Sequence, residues 1–346
     1  MSQTRPSPSK MQAWRLNQLG PFDETLRLVP DIEVPSEPLR AGQILVRVAS
    51  AGLNPVDYKF SEASIIGRAL LKFPRTPGMD LSGVAVSVGP GVTDIKAGDK
   101  VLARIDLTKD TQGALSEYVS APLDGCAAIP ISFDCDEAAA VPTASLSAIQ
   151  SIAPYVKSGS RVFINGGSGG VGSFGIQIAK ILGCHVTTTC STAKVSLCTE
   201  LGADEVIDYR TTDVVDQLKQ GGPRYDLIVD NVGNSISELF SACSDVLVPE
   251  GKFVCVAVKP NFSTLKTIAK GKLLPRFLGG TTHKLIIYAT RNNHEDLVQI
   301  VQWIAEKGLR SIIDSTFKFE NAPEAYKHLK KGSSAGKVVV RVADLL

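Results

Sequence analysis

Gly167, Gly169 and Gly172 fall at the spacing G-x-G-x-x-G, directly after the apolar run Arg161–Asn165 and before the amphipathic run Ser173–Leu182. In a strand–turn–helix setting this pattern binds dinucleotides. One glycine makes the tight turn, the next lets backbone N–H groups approach a pyrophosphate, and the third lets helix pack on strand. Ser168, Gly170 and Val171 of the same loop are expected at the cofactor, because a helix N-terminus meets an anion with unpaired donors and its positive dipole end. A purely structural glycine turn is the alternative. The choice of nucleotide is read about 20 residues further on, where NAD-dependent chains carry Asp or Glu for the ribose hydroxyls. Here the run His185–Cys190 leads into Ser191-Thr192-Ala193-Lys194, with no acid. The Ser191 hydroxyl and Lys194 ammonium would instead meet a 2′-phosphate through charge-assisted hydrogen bonds, so NADPH is the expected cofactor. A helix cap at Ser191 and a solvated Lys194 are the bland alternatives. Asn231, Val232 and Val258 lie at the C-terminal ends of apolar runs, where doubly wound sheets bind ligand, and are expected to line the ribose and nicotinamide.

These residues need a scaffold, and the hydrophobic pattern supplies one. From about 130 to 285, strand-like and helix-like runs alternate: Val162–Asn165, Ser173–Leu182, His185–Cys190, Ala193–Leu201, Glu205–Asp208, Asp226–Asp230, Ile236–Leu247 and Gly251–Val258. Strands separated by such helices form parallel βαβ units. Residues from about 11 to 129 carry short alternating runs broken by turns such as Gly89-Pro90-Gly91, the pattern of a β-rich barrel. The end of the chain reads as helix Glu295–Lys307, strand Ser315–Phe319, helix Ala322–Leu329 and strand Gly336–Val342. The fold expected is α/β: a Rossmann doubly wound domain, 130–289, inserted into a β-rich domain made of 1–129 and 290–346.

Composition narrows the class. The 346 residues are 44% hydrophobic with a net charge of +2, which supports large cores and argues against a nucleic-acid footprint. No apolar run reaches the ~18 residues that span a bilayer. Met1–Lys10 is polar, with no apolar segment of a secretory signal, and reads as a tail of a cytoplasmic protein. The seven cysteines, residues 126, 135, 184, 190, 198, 243 and 255, include no C-x-x-C pair. They read as reduced, mostly buried small side chains.

The segments Ala51–Asp57, Pro77–Gly83, Gly98–Val101 and Gly166–Gly172, in that order, resemble the medium-chain dehydrogenase/reductase superfamily. The resemblance covers roughly Gln12 to Val342. Within it, the Asn-Pro-x-Asp segment and the glycine loop are similar to the zinc-free quinone oxidoreductase and enoyl reductase branch, and Asn54-Pro55-Val56-Asp57-Tyr58-Lys59 resembles fungal trans-acting enoyl reductases. The resemblance implies that the β-rich domain is a GroES-like barrel and that Tyr209 sits beside the adenosine phosphate.

It also bears on metal. Zinc alcohol dehydrogenases of the superfamily hold their catalytic ion with a cysteine, a histidine and a second cysteine. Alignment by segment puts Asn54, Met79 and, nearly, Thr143 at those positions. An amide, a thioether and a hydroxyl do not make a zinc site. The four histidines, 185, 283, 294 and 328, have no ligand spacing, so no metal is expected. Without a Lewis acid, the accessible reaction is hydride addition to the β-carbon of an enone, enoyl thioester or quinone. The protein supplies orientation and donors to the developing enolate. Asn54, Tyr58, Lys59 and Thr143 are the candidate donors, Lys59 matching the lysine of the trans-acting enoyl reductases. Packing for Tyr58, solvation for Lys59 and a turn at Asn54-Pro55 are the alternatives.

The partner expected is a small-molecule substrate, with an acyl-carrier or polyketide synthase partner if that substrate is a thioester. Substrate size depends on the surroundings of Phe60–Phe73 and Leu273–Gly280. The apolar residues Ile65, Ile66, Leu70 and Leu71 suit either a lid or a buried helix. The run Lys284–Ala289 would be a hazardous free edge unless covered, which leaves homodimer and monomer both open. A NADPH-binding structural or regulatory protein with little turnover is the alternative to an enzyme.

Overall fold

A computed structural model describes residues 8–62, 71–222, 224–233, 236–256 and 283–344. Val258, Ile65, Ile66, Leu70 and Leu273–Gly280 lie outside the described residues. The chain divides into two compact units, Met1–Leu146 with Asn292–Leu346, and Ser147–Arg291. The sequence pattern changes near 130, but helix Cys135–Ala139 and the start of helix Pro142–Ile152 stay with the first unit. Polar side chains hold that helix there: Ser82 donates to the Cys135 carbonyl at 2.6 Å, and Ser50 and Arg341 donate to the Asp136 carboxylate at 2.5 and 2.7 Å.

The second unit is built on six parallel strands: Arg161–Asn165, His185–Cys190, Glu205–Asp208, Tyr225–Asp230, Leu247–Cys255 and Lys284–Ile287. Their spatial order is third, second, first, fourth, fifth, sixth. The order reverses between the first and fourth strands, the switch point where doubly wound sheets bind ligand. Buried Phe163, Ile228, Tyr225, Phe240 and Phe253 fill one face, as a sheet covered on both sides requires.

Helix Gly170–Ile181 follows the first strand. Two elements differ from expectation. The helix expected over Ile236–Leu247 is two short ones, Ile236–Ser241 and Cys243–Val246, and the next strand begins at Leu247, because Leu247 pairs with Tyr225 before the ladder shifts register. Helix Val214–Gln220 was not anticipated; Asp213 caps it, accepting from the Asp216 N–H at 2.9 Å. The edge strand Lys284–Ile287 leaves Ile287 exposed.

In the first unit, strand Gln43–Leu53 is the spine. It pairs antiparallel with Asp80–Val88 along one side, and with Tyr118–Pro122 and Lys337–Arg341 along the other. Register shifts at Leu45/Val46 and Val48/Ser50 bend it, as bulges do. Ile313–Lys318, helix Ala322–Lys330 and Lys337–Arg341 make a parallel crossover at the far edge. Among the described residues no helix is long and apolar enough to cross a membrane.

Candidate active site

The glycine loop has the geometry its spacing predicts, with one reassignment. The left-handed turn falls on Gly166, at φ +83°, and not on Gly167. Thr189 fixes it: its hydroxyl accepts the Gly166 N–H at 2.8 Å, and its carbonyl accepts the Gly167 N–H at 2.9 Å. Gly167 is required by crowding instead, since a Cβ there would meet Thr188 Oγ1 at 2.1 Å. A Cβ on Gly172 would lie 2.1 Å from the Gly166 carbonyl oxygen, so this glycine lets the helix start close over the turn. At Gly169 the nearest protein atom to such a Cβ is 3.6 Å away, and no side chain caps the helix there. The N–H groups of the first turn are thus left for an external acceptor. Ser168 is buried in the loop, and Gly170 and Val171 are half-buried.

Ser191 precedes the 3-10 turn Thr192–Lys194 and Lys194 ends it; both are half-buried, and the Ser191 hydroxyl makes no cap bond. Asp208, at the end of the third strand, is committed locally: it accepts from the Thr192 hydroxyl at 2.6 Å and the Arg210 N–H at 2.9 Å. Tyr209 is half exposed beneath the Arg210 guanidinium. Both line a groove of about 430 Å³ that reaches Asn165 and Val214. At the end of the fourth strand, Asp230 Oδ1 accepts Asn165 Nδ2 at 2.8 Å and the Val232 and Gly233 N–H groups at 3.0 and 3.2 Å. Both polar atoms of the Asn231 side chain are buried without a partner among the described residues. Such groups are rare and call for a ligand or water. A ribose hydroxyl or carboxamide would satisfy them, so these residues fit a nicotinamide nucleotide.

In the first unit, three strands and a loop bring polar residues to one place. The register that pairs Val338 with Leu53 puts Lys337 beside Asn54; Asp80 stands opposite both Gly52 and Arg104. All four side chains are buried. Asp80 Oδ2 accepts from Asn54 Nδ2 at 2.9 Å and from Lys337 Nζ at 3.0 Å. Lys337 also donates to Asn54 Oδ1 at 2.6 Å. Asp80 Oδ1 accepts the Thr143 N–H at 3.0 Å and its hydroxyl, so a carboxylate caps the start of helix Pro142–Ile152, where it complements the helix dipole. Thr143 Oγ1 accepts Arg104 Nε at 3.2 Å. Asn54 and Thr143 are therefore brought together, while Asp80, Arg104 and Lys337 were missed by sequence reasoning. The one signal available was Asp80 itself, an acid in the segment Pro77–Gly83 next to Met79.

Tyr58 and Lys59 lie on helix Pro55–Glu62. Tyr58 packs edge-on against Phe22 and Tyr326, each with ring centroids 6.5 Å away. Burial, then Glu62 and Asp57, push its phenol pKa up. Lys59 is exposed. Asp57 is buried, and its Oδ2 accepts the Asn54 N–H at 2.8 Å and the Tyr326 hydroxyl at 3.3 Å. Burial raises its pKa to about 7, with Asp80 adding to the rise and the Asn54 bond opposing it.

A carboxyl whose pKa is higher folded than unfolded stabilises the fold when protonated. That contribution is complete below the unfolded value of about 3.9 and is lost as pH rises through about 7. The stability of the wild type relative to Asp57→Asn should therefore fall as pH rises between those values. Parallel melting curves for the two proteins would contradict this.

The positions aligned with zinc ligands do not fit the metal. Asn54 is bonded to an ammonium 2.6 Å away, and Met79 is a buried thioether in the hydrophobic core. A dication there would face the Lys337 charge directly.

Two family models match the chain: "Alcohol dehydrogenase GroES-like domain" over residues 40–131 and "Zinc-binding dehydrogenase" over residues 201–340. A trans-enoyl reductase of Aspergillus terreus is 41% identical, over 97% of this chain and 98% of its own length. A chloroplastic quinone-oxidoreductase homologue of Spinacia oleracea is 31% identical over 95% and 98%. The solved quinone oxidoreductase of Coxiella burnetii superposes with a TM-score of 0.82 at 30% identity, covering 96% of this chain and 100% of that one.

Proposed function

Because this chain belongs to the medium-chain dehydrogenase/reductase superfamily, we propose that it is a zinc-independent, NADPH-dependent reductase of activated C=C bonds in enones, enoyl thioesters or quinones. The similarity that carries the reading is the 41% identity, over nearly its whole length, to a trans-enoyl reductase. Bound NADPH supplies a hydride equivalent from its nicotinamide ring. The loop from Gly166 to Gly172 would hold the pyrophosphate, Ser191 and Lys194 the 2′-phosphate, Tyr209 the adenosine end, and Asn231 the ribose or carboxamide. Lys59 would hold the negative charge that develops on the substrate's carbonyl oxygen, while Asn54 and Thr143, whose donors are committed to Asp80, would orient the substrate by contact. The ammonium at Asn54 supports zinc independence. An enoyl thioester, with an acyl-carrier or polyketide synthase partner, is the substrate form favoured by the likeness to a trans-enoyl reductase, and the cytoplasm is the compartment proposed.

NADPH oxidation should be seen with at least one member of a panel of quinones, enones and enoyl thioesters. No turnover with any of them would favour the NADPH-binding structural protein instead. Cofactor choice has its own test. Losing a charge-assisted phosphate bond costs about 1.5–3 kcal/mol, or roughly 10- to 150-fold in affinity. Titration should show NADPH binding more tightly than NADH, with Lys194→Ala losing that margin for NADPH alone. Equal wild-type affinity for both cofactors would overturn the assignment.

A further inference from the structure

The cluster around Asp80 does something that no apolar substitute would do. Asp80 is fully buried and shares its two oxygens between separate elements: Thr143 on one, Asn54 and Lys337 on the other. Lys337 closes the ring by donating to Asn54 Oδ1 at 2.6 Å. The Asn54 amide is thus gripped at both ends, carbonyl to ammonium and amide N–H to carboxylate, which forbids a flip. The Thr143 hydroxyl is pinned in the same way between the Asp80 carboxylate and Arg104 Nε. A buried ion pair is weak support for stability, since a well-packed apolar pair of similar volume often does as well or better. The property peculiar to this pair is direction.

We propose that Asp80 and Lys337 are positioning residues of the reductase site, their ion pair setting the orientation of the Asn54 amide and the Thr143 hydroxyl. The inference rests on the functional reading above. Its test compares wild type with Lys337→Met, Asp80→Asn and the double variant, reading melting temperature, NADPH affinity, kcat and KM with a substrate that the wild type reduces. Each single variant leaves a buried charge without its ion-pair partner and should melt lower. The charge-neutral double variant should regain most of the melting temperature and bind NADPH like the wild type. Its kcat should stay about 10²-fold down, the scale of a catalytic group misplaced by about 1 Å.

A double variant whose kcat returns together with its melting temperature would show a merely structural pair and overturn the inference. So would failure of the double variant to fold, which would make the pair a folding requirement. A wild type inactive on the whole panel overturns the functional reading, and the inference with it. Activity in the wild type and in the double variant alike overturns the inference alone.

Discussion

Gly172→Ala should lose both thermal stability and NADPH binding, whereas Gly169→Ala should lose NADPH binding alone. The two glycines stand three residues apart in one loop, yet meet different surroundings. A methyl at Gly172 would be driven to 2.1 Å from the Gly166 carbonyl oxygen and 2.7 Å from Gly167 Cα, and both are backbone atoms. Overpacking of this kind costs about 1–3 kcal/mol. The only relief is for helix Gly170–Ile181 to slide away from the turn, which removes the first-turn N–H groups from a pyrophosphate. At Gly169 the fold has room, with φ −81° and ψ 176°, a conformation open to alanine. The added methyl would instead occupy space that the diphosphate needs. Thermal melts and NADPH titrations of both variants check this. Gly169→Ala binding NADPH as tightly as the wild type would remove the loop from the cofactor site.

Lys59→Ala should lower kcat by about 10²-fold or more with little change in NADPH affinity. A donor that acts on a developing oxyanion is worth ~2.7–4 kcal/mol, and a loss confined to kcat marks an interaction made only in the transition state. On helix Pro55–Glu62 the Tyr58 ring packs against Phe22 and Tyr326, and Lys59 is exposed. Tyr58→Phe, which keeps the ring, should accordingly change turnover much less than Lys59→Ala. A raised KM with kcat retained in Lys59→Ala would reduce the lysine to holding the substrate.

What could be read from the sequence follows from how local each requirement is. The dinucleotide loop was legible because its strand, turn and helix are contiguous, and the sheet because its apolar runs recur at βαβ spacing. Which glycine takes the positive φ was not, since that depends on Thr189 bonding back to Gly166 from the next strand. Helix Val214–Gln220 was missed although Asp213 is a good cap, because seven residues show too little periodicity. The Asp80 cluster was out of reach altogether. Asn54, Asp80, Arg104 and Lys337 meet only through strand register, and a buried lysine near the C-terminus reads in the sequence as a surface charge. Asn54 and Thr143 were singled out as candidates through resemblance, but their tie through Asp80 needed coordinates.

The most direct measurement of the central claim is the fate of the transferred hydride. NADPH carrying deuterium at the reactive C4 position, turned over with an enone, should give a product labelled at the β-carbon, as read by NMR and mass. Label on the carbonyl carbon would make the protein a ketone reductase and contradict reduction of the double bond.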